Sequence, residues 1–183
     1  MHFIDYLETQ VNWNKVFGVV DSVYTDDGFK SNADNFIRSI CIEKAIEKFS
    51  DVERVDQNGY DFLYDKKVKV EMKMGKNLFY VKEPFKTKKF KVKSFLSATK
   101  TVEDFQQVST FEYLLVIDLT ARRVVVVEDE VARPLYESGA DGAMIQLTKG
   151  TFYECEIGEV NPISPKYKLS ELIETAYQTF LDF

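Results

Sequence analysis

The sequence is poor in the residues on which many enzyme active sites depend. It has a single histidine, His2, among 183 residues. Catalytic triads with a histidine base and zinc sites built on histidine are therefore excluded, as are nucleases that use a histidine general base. Neither G-x-x-x-x-G-K-[ST] nor G-x-G-x-x-G is present, so we predict no nucleotide cofactor. The chemistry that remains is that of carboxylates and lysines.

Cysteine and long apolar runs are also scarce. Cys41 and Cys155 are far apart in the sequence, and we expect both to be buried free thiols in a reducing cytoplasm. No run approaches the roughly 18 apolar residues of a membrane span, and the N-terminus lacks the pattern of a signal peptide. With 45% hydrophobic residues, the sequence predicts one cytoplasmic globular domain over residues 1–183, with no membrane contact.

Positive charge is scarce overall but concentrated in one segment. The net charge is −6, from 24 basic and 30 acidic residues. Residues 66–100 contain twelve lysines and two acids, which leaves 12 basic and 28 acidic residues for the rest of the chain. A positive segment on an acidic background is typical of a surface that binds a polyanion, although a solvated flap has the same composition. The candidate residues for binding a polyanion are Lys76, Lys86, Lys88, Lys89, Lys91 and Lys93.

Residues 60–64 and 68–74 predict a β-hairpin with its turn at residues 65–67. From residue 68 to residue 74, apolar and charged residues alternate without a break, which indicates a strand with one buried and one polar face. One register places apolar residues opposite each other throughout. Its pairs are Tyr64–Val68, Phe62–Val70 and Tyr60–Met72.

The same register sets two acidic residues against each other. Asp61 lies opposite Glu71, with Lys73 two residues along the same face. Opposed like charges destabilise a sheet, but a divalent cation between the carboxylates would reverse that effect. Hard oxygen ligands suit Mg²⁺, which takes one or two protein carboxylates and keeps several waters. The hairpin is therefore a candidate metal site; a solvated strand face with mixed charges is the alternative.

The pattern Asp61-x9-Glu71-x-Lys73 resembles the PD-(D/E)XK nuclease superfamily, which includes many type II restriction endonucleases. Tyr60 stands where that family often has proline. The resemblance covers roughly residues 33–118. It implies an α/β fold of the α+β type, with a restriction-endonuclease-like αβββαβ core and a mixed central sheet flanked by helices. We expect this core at about residues 33–128, with helical decorations at 1–30 and 165–183.

The resemblance also implies a reaction and a set of site residues. The expected activity is Mg²⁺-dependent hydrolysis of DNA phosphodiester bonds, with Mn²⁺ able to substitute. Asp61 and Glu71 would bind the metal, and Lys73 would act in catalysis. Glu43, on a helix predicted over residues 33–49, is a further candidate metal ligand, although a salt bridge or exposure to solvent is the commoner fate of such a residue.

Our first hypothesis for the biological role is a type II restriction-like endonuclease that cuts double-stranded DNA. Because one hairpin cuts one strand, this role favours a homodimer. The apolar helix predicted over residues 169–181 can cover either the protein's own sheet, which we favour, or a partner's helix. The N-terminal residues Phe3, Ile4, Leu7 and Val11 are the second candidate for the partner contact. The alternatives are a junction-resolving or repair nuclease of the same fold, or a non-catalytic DNA-binding module whose Asp61, Glu71 and Lys73 form a surface ion-pair cluster.

Other segments also carry clear patterns. We predict helical residues over 3–20 with a break near residues 12–14, and buried strands over residues 113–117 and 124–127. Residues 131–147 predict a helix broken by Pro134 and a turn at residues 139–142. Residues 151–157 alternate like a strand.

Neutralising the lysine cluster tests the predicted phosphate contacts. We expect glutamine at Lys86, Lys88, Lys89, Lys91 and Lys93 to weaken binding to all DNA sequences alike, because phosphate contacts carry no base information. The slope of log affinity against log salt concentration should shrink by about 0.9 for each duplex phosphate that the variant no longer neutralises. Fluorescence anisotropy at several salt concentrations measures that slope, and an unchanged slope would identify the segment as a solvated flap.

Overall fold

Helices occupy the start of the chain and strands its middle. The computed structural model describes residues 1–25, 32–57, 59–75, 90–91, 102–107, 110–139, 142–147, 150–163, 174 and 178. The helices are α1 (Phe3–Thr9), α2 (Trp13–Thr25), α3 (Asn32–Lys48), α4 (Val102–Gln107) and α5 (Asp129–Ala132). The strands are β1 (Glu53–Gln57), β2 (Tyr60–Tyr64), β3 (Val68–Gly75), β4 (Phe90–Lys91), β5 (Tyr113–Asp118), β6 (Arg123–Glu128), β7 (Tyr136–Gly139), β8 (Gly142–Ile145) and β9 (Tyr153–Glu154). The predicted α+β class is confirmed.

These elements fall into two compact units. The first comprises Met1–Val52 and Ile157–Phe183, and the second comprises Glu53–Glu156. The division crosses the core predicted over residues 33–128, because α3 belongs to the first unit and the strands belong to the second. None of the described helices is both long and apolar enough to cross a membrane.

The apolar faces of the helices build the first unit. The predicted break near residues 12–14 is confirmed, since α1 ends at Thr9 and α2 begins at Trp13. The indole Nε1–H of Trp13 donates to the Leu7 carbonyl at 2.7 Å. A core cluster joins α2 to α3 through Val19, Val23, Ile37, Ile40, Cys41 and Ala45. The expected burial of both cysteines as free thiols is also confirmed.

The N-terminal residues suggested for a partner contact are used inside the chain instead. Phe3, Leu7 and Val11 are all buried. That expectation is therefore corrected for these three side chains. The apolar spacing that suggested an interface is the spacing of ordinary core residues.

Residues 161–163 pack against α2 and close the first unit. The side-chain Oδ1 of Asn14 accepts a hydrogen bond from the Asn161 N–H at 2.8 Å, and its main-chain carbonyl accepts one from the Ile163 N–H at 3.0 Å. One helical turn further on, a Cβ at Gly18 would collide with the Ile163 carbonyl oxygen. Only glycine permits this close approach. The first unit therefore needs segments that are distant in sequence.

A six-stranded mixed sheet forms the centre of the second unit. Its order is β1-β2-β3-β5-β6-β9, with β3 and β5 parallel and the other neighbours antiparallel. Residues 114–117 and 124–127 are fully or almost fully buried, as predicted for strands covered on both faces. Glu112 anchors the start of the parallel pair. Its N–H donates to the Lys69 carbonyl at 2.8 Å, and its Oε2 accepts from the Lys69 N–H at 2.6 Å.

A second, three-stranded sheet packs on one face of the first. Its order is β4-β8-β7. Apolar side chains of β7, β8 and the residues just after them join a core cluster with β5 and β6. The cluster includes Tyr136, Ile145, Leu147, Leu114, Val116, Val125 and Val127. This face of the large sheet is therefore covered.

The helix predicted within residues 131–147 is largely wrong. α5 ends at Ala132, a 3-10 turn follows over Arg133–Leu135, and residues beyond it form the β7–β8 hairpin. Pro134 has no N–H and its ring hinders the preceding turn, which explains why the helix does not continue. The strand predicted over residues 151–157 is reduced to β9.

Two groups of predictions fall outside the described residues. Within the predicted helix at residues 169–181, only Glu174 and Gln178 are described, and both have helical backbone. Of the lysine candidates, only the backbone of Lys91 is described, in β4 opposite Met144. The candidates not described are Lys76, Lys86, Lys88, Lys89 and Lys93.

The β2–β3 hairpin forms around a tight turn. The pairs Phe62–Val70 and Tyr64–Val68 confirm the predicted register on this part of the hairpin. The Lys67 N–H donates to the Tyr64 carbonyl at 3.2 Å. Between them, Asp65 and Lys66 have φ angles of 51° and 57°. Positive φ at both central residues is the pattern of a type I′ turn, which usually contains Asn-Gly.

We expect Lys66→Gly to stabilise the protein. The left-handed backbone costs an L-residue roughly 1–2 kcal/mol, and glycine adopts it without that penalty, so the free energy of unfolding should rise by up to about 1 kcal/mol. Urea denaturation measures the change. Lys67→Gly is the matched control, because residue 67 is exposed in the same turn but is not among those with positive φ. Equal effects of the two changes would contradict the turn assignment.

Candidate active site

The β2–β3 ladder opens at Asp61. The regular pairs end with Phe62–Val70, and the Asp61 Oδ2 accepts the Met72 N–H at 2.7 Å. The predicted Tyr60–Met72 pair is therefore absent from the described ladder, whereas on the opposite side of β2 Tyr60 still pairs with Gln57 of β1. The physical reason is that a side-chain carboxylate takes the N–H that would otherwise face a strand carbonyl. Because N–H and C=O of one strand residue point to the same side, the Met72 carbonyl also faces this opening.

The structure brings the two predicted carboxylates together, although Asp61–Glu71 is not among the register pairs of the β2–β3 ladder. Asp61 and Glu71 lie close enough to share a hydrogen bond. The alternative of a solvated strand face does not hold at Glu71, because this residue is only 2% exposed. Its neighbour across the parallel ladder is Leu114, and that of Lys73 is Val116. Both neighbours belong to the cluster beneath the small sheet, so the packing that covers β5 extends to the acidic pair.

Lys73 is the third residue of the predicted site, beside Asp61 and Glu71. Its ammonium forms an ion pair with Glu71 Oε1, and its side chain is 19% exposed. The other oxygen, Glu71 Oε2, is buried and has no hydrogen-bond partner among the described residues. A buried acceptor without a donor costs about 1–3 kcal/mol. Glu71 therefore combines one satisfied oxygen with one that a ligand could satisfy.

Burial dominates the electrostatics of the acidic pair. It raises the pKa of Glu71 to about 7, against the nearby Lys73 ammonium, and the adjacent Asp61 carboxylate adds to the rise. Burial likewise raises the pKa of Asp61, although Lys73 and the Met72 N–H both favour its charged form. Two ionised carboxylates cannot hydrogen-bond to each other, so the pair favours a shared proton or a bound cation.

A second polar group lies behind the acidic pair. Tyr136, in β7, is 4% exposed and its hydroxyl is buried. Burial raises the pKa of this hydroxyl, and the Asp129 and Glu71 carboxylates raise it further. Asp129 is itself buried and forms an ion pair with Arg133 one helical turn later. Tyr136 therefore lies within electrostatic reach of two carboxylates.

Sequence reasoning missed this group for a definite reason. The sequence predicts a broken helix over residues 131–147, and this prediction does not say which residues Tyr136 contacts or whether it lies near β3. The signal that was available is the spacing of Asp129 and Arg133, which suits an ion pair at the end of a helix. Nothing in the sequence places Tyr136 near Glu71 of β3, because that proximity depends on how the small sheet packs.

The donor set suits a hard divalent cation such as Mg²⁺. Asp61 and Glu71 supply carboxylate oxygens, Glu71 Oε2 is an orphaned buried acceptor, and the Met72 carbonyl faces the same opening. Among the described residues, no group of three or more acidic, histidine or cysteine side chains could hold a metal ion. Mg²⁺ does not require a third, because it commonly uses one or two carboxylates and water.

The metal role of Glu43 stays a prediction. Glu43 lies on α3 in the first unit, and Asp61 and Glu71 lie in the second.

The comparisons with known proteins give no independent assignment. No family model matches the sequence, and no match was found among curated proteins or solved structures.

The raised pKa of Glu71 predicts how stability depends on pH without metal. The unfolded glutamate ionises near its ordinary pKa of 4.5, while the folded one keeps its proton until about pH 7. The folded state thus binds more protons between these values, so the free energy of unfolding should fall as pH rises across this window, by about 1.4 kcal/mol per pKa unit. Glu71→Gln, which mimics the protonated form, should remove most of this fall.

Urea titrations from pH 4 to pH 8.5 in EDTA measure the effect. The variant should match the wild type at the acidic end and exceed its stability at pH 8. Asp65→Asn, at an exposed position of the same hairpin, controls for the change from carboxylate to amide. A wild-type stability that is flat or rises between pH 4.5 and 7, with no advantage for Glu71→Gln at pH 8, would contradict the raised pKa.

Proposed function

We propose that this protein is a Mg²⁺-dependent endonuclease that hydrolyses DNA phosphodiester bonds at the β2–β3 hairpin. The observation that carries the proposal is the contact between the half-buried Asp61 and the buried Glu71, with Glu71 Oε2 left without a donor among the described residues. An arrangement that is costly in the free protein and suited to a cation is typical of a functional site. Lys73, bound to the other oxygen of Glu71, supplies the adjacent positive charge.

The order of elements supports the same proposal. Along the chain, α3, β1, β2, β3, α4 and β5 follow the αβββαβ order of the PD-(D/E)XK core, with β4 inserted before α4. Asp61 lies on the second strand of that order, and Glu71 and Lys73 lie on the third. The parallel pairing of β3 with β5 gives the mixed central sheet that this core requires.

Asp61, Glu71 and the Met72 carbonyl would hold the metal. When bound, Mg²⁺ polarises a phosphoryl oxygen and lowers the pKa of a coordinated water. The Asp61 carboxylate is oriented by the Met72 N–H, and the Glu71 carboxylate by Lys73. The Lys73 ammonium would orient the attacking water or stabilise the negative charge that develops on the phosphorane. Burial strengthens these electrostatic interactions because it lowers the local dielectric constant.

A non-catalytic module with a surface ion-pair cluster is less well supported. Glu71 is 2% exposed, whereas surface ion pairs form between solvated groups and contribute little. Within the nuclease class, we favour a type II restriction-like homodimer that cuts double-stranded DNA, since two copies serve two strands. Sedimentation on DNA and assays on branched substrates separate this role from junction resolution or repair.

Substitutions in the hairpin test the proposed activity. Asp61→Ala and Glu71→Ala should abolish Mg²⁺-dependent cleavage, because each removes a metal ligand. Lys73→Ala should reduce the rate by about 10²–10³-fold, as expected for loss of one charge-stabilising donor. The assay is cleavage of linear, supercoiled and branched DNA with Mg²⁺, Mn²⁺ or EDTA.

Matched controls lie on the same hairpin. Asp65→Ala and Lys67→Ala change the same residue types at exposed positions, and we expect both to keep wild-type activity. Circular dichroism checks that each variant folds. Full cleavage by a folded Asp61 or Glu71 variant, or no cleavage of any substrate by the wild type with Mg²⁺ or Mn²⁺, would refute the proposal.

A further inference from the structure

The two carboxylate oxygens of Glu71 have different surroundings. Lys73 forms an ion pair with Oε1, while Oε2 is buried and lacks a hydrogen-bond partner among the described residues. A carboxylate whose one oxygen alone is held can rotate about its terminal bond. A ligand for a metal ion is oriented best when a second donor fixes the other oxygen. The nearby side chains therefore matter as sources of that donor.

Tyr136 lies where it can supply this second hydrogen-bond donor to Glu71. Its side chain packs in the cluster that contains Leu114 and Val116, and these two residues are the cross-strand neighbours of Glu71 and Lys73. Tyr136 therefore covers the sheet at the level of the acidic pair, and its hydroxyl is buried there. The rise that Glu71 causes in the pKa of Tyr136 agrees with this proximity. A tyrosine hydroxyl has one proton to donate.

Asp129 is the competing acceptor, but it already has a donor. The Arg133 guanidinium donates to Asp129 Oδ2 through Nε, at 3.0 Å, and through Nη2. Gln106 Nε2 donates to the Tyr136 carbonyl at 3.1 Å, which fixes the backbone of β7 beside α4. The carboxylate with a buried oxygen still to be satisfied is therefore Glu71, not Asp129.

We propose that Tyr136 is a positioning residue for the metal site. Its hydroxyl and Glu71 Oε2 are not hydrogen-bonded to each other in the free protein, and the hydroxyl donates to this oxygen once the Glu71 carboxylate turns towards a divalent cation. A carboxylate oxygen has two lone pairs, so one can accept the hydroxyl while the other faces the metal. The inference rests on the proposed function and deepens it, because it adds a side chain that acts through Glu71. Tyr136 itself contacts neither the metal nor the DNA.

Tyr136→Phe removes only the hydroxyl and is the primary test. Titration of the metal-free protein with Mn²⁺, without DNA, should show affinity about 10–100-fold weaker than in the wild type, the usual effect of losing a residue that orients a metal ligand. In cleavage assays, the Mn²⁺ concentration for half-maximal rate should rise by the same factor, while the rate at saturating Mn²⁺ stays near that of the wild type. If Tyr136 had a purely structural role, the variant would be less stable but would not combine weaker Mn²⁺ affinity with an unchanged rate at saturating Mn²⁺.

Tyr113→Phe is the matched control. Tyr113 lies on β5, is partly buried and lies near two other acidic residues, Glu112 and Glu128. We expect this change to leave Mn²⁺ affinity unaltered. Equal affinity in wild type and a folded Tyr136→Phe variant would overturn the positioning role alone. Failure of the wild type to bind Mn²⁺ would overturn both this role and the proposed metal site.

A second measurement covers the case in which Tyr136→Phe does not fold. 3-Fluorotyrosine incorporated at position 136 keeps the hydroxyl and provides a single ¹⁹F signal. Substoichiometric Mn²⁺ should broaden that signal strongly, because the ring lies beside a metal ligand, and Glu71→Ala should abolish the broadening. A signal that stays sharp while the protein binds Mn²⁺ would overturn the inference.

Discussion

The contact between the half-buried Asp61 carboxylate and the buried Glu71 carboxylate is the constraint around which the second unit is built. Asp61 takes the Met72 N–H and thereby ends the regular β2–β3 ladder. Glu71 lies beside it and is covered by the packing of the small sheet. The two groups do not readily ionise together without compensating positive charge, and Lys73 provides only one such charge. The hairpin, the small sheet and the parallel β3–β5 pair together hold an arrangement that the free protein alone does not favour.

Much of the hairpin could be predicted from the sequence, because side-chain alternation is a local property. The pairs around the turn and the proximity of Asp61 and Glu71 follow from a period of two and one choice of register. The opening of the ladder at Met72 could not be predicted, since it depends on a side chain competing with the backbone for an N–H. The burial of Glu71 could not be predicted either, because residues distant in sequence cover that face.

The same distinction holds across the fold. α3 and the continuous apolar strands β5 and β6 agree with their patterns, because each pattern is long and regular. The pattern around Pro134 predicts a helix, yet the region forms a 3-10 turn and a hairpin. Because of that error, the sequence does not locate Tyr136: the predicted helix does not define its neighbours, whereas in β7 its hydroxyl is buried in the core. Local periodicity thus located the acidic pair but not the residue behind it.

The division of the first unit into two chain segments affects the order in which the protein can fold during synthesis. Helices α1–α3 emerge from the ribosome first, but the face of α2 around Asn14 and Gly18 waits for residues 161–163. The whole of Glu53–Glu156 is made in between. At synthesis rates of about 5–20 residues per second, that delay is roughly 5–20 seconds, far longer than hairpins take to form. The nascent chain can therefore complete the sheet that carries the acidic pair while α2 is still incompletely covered.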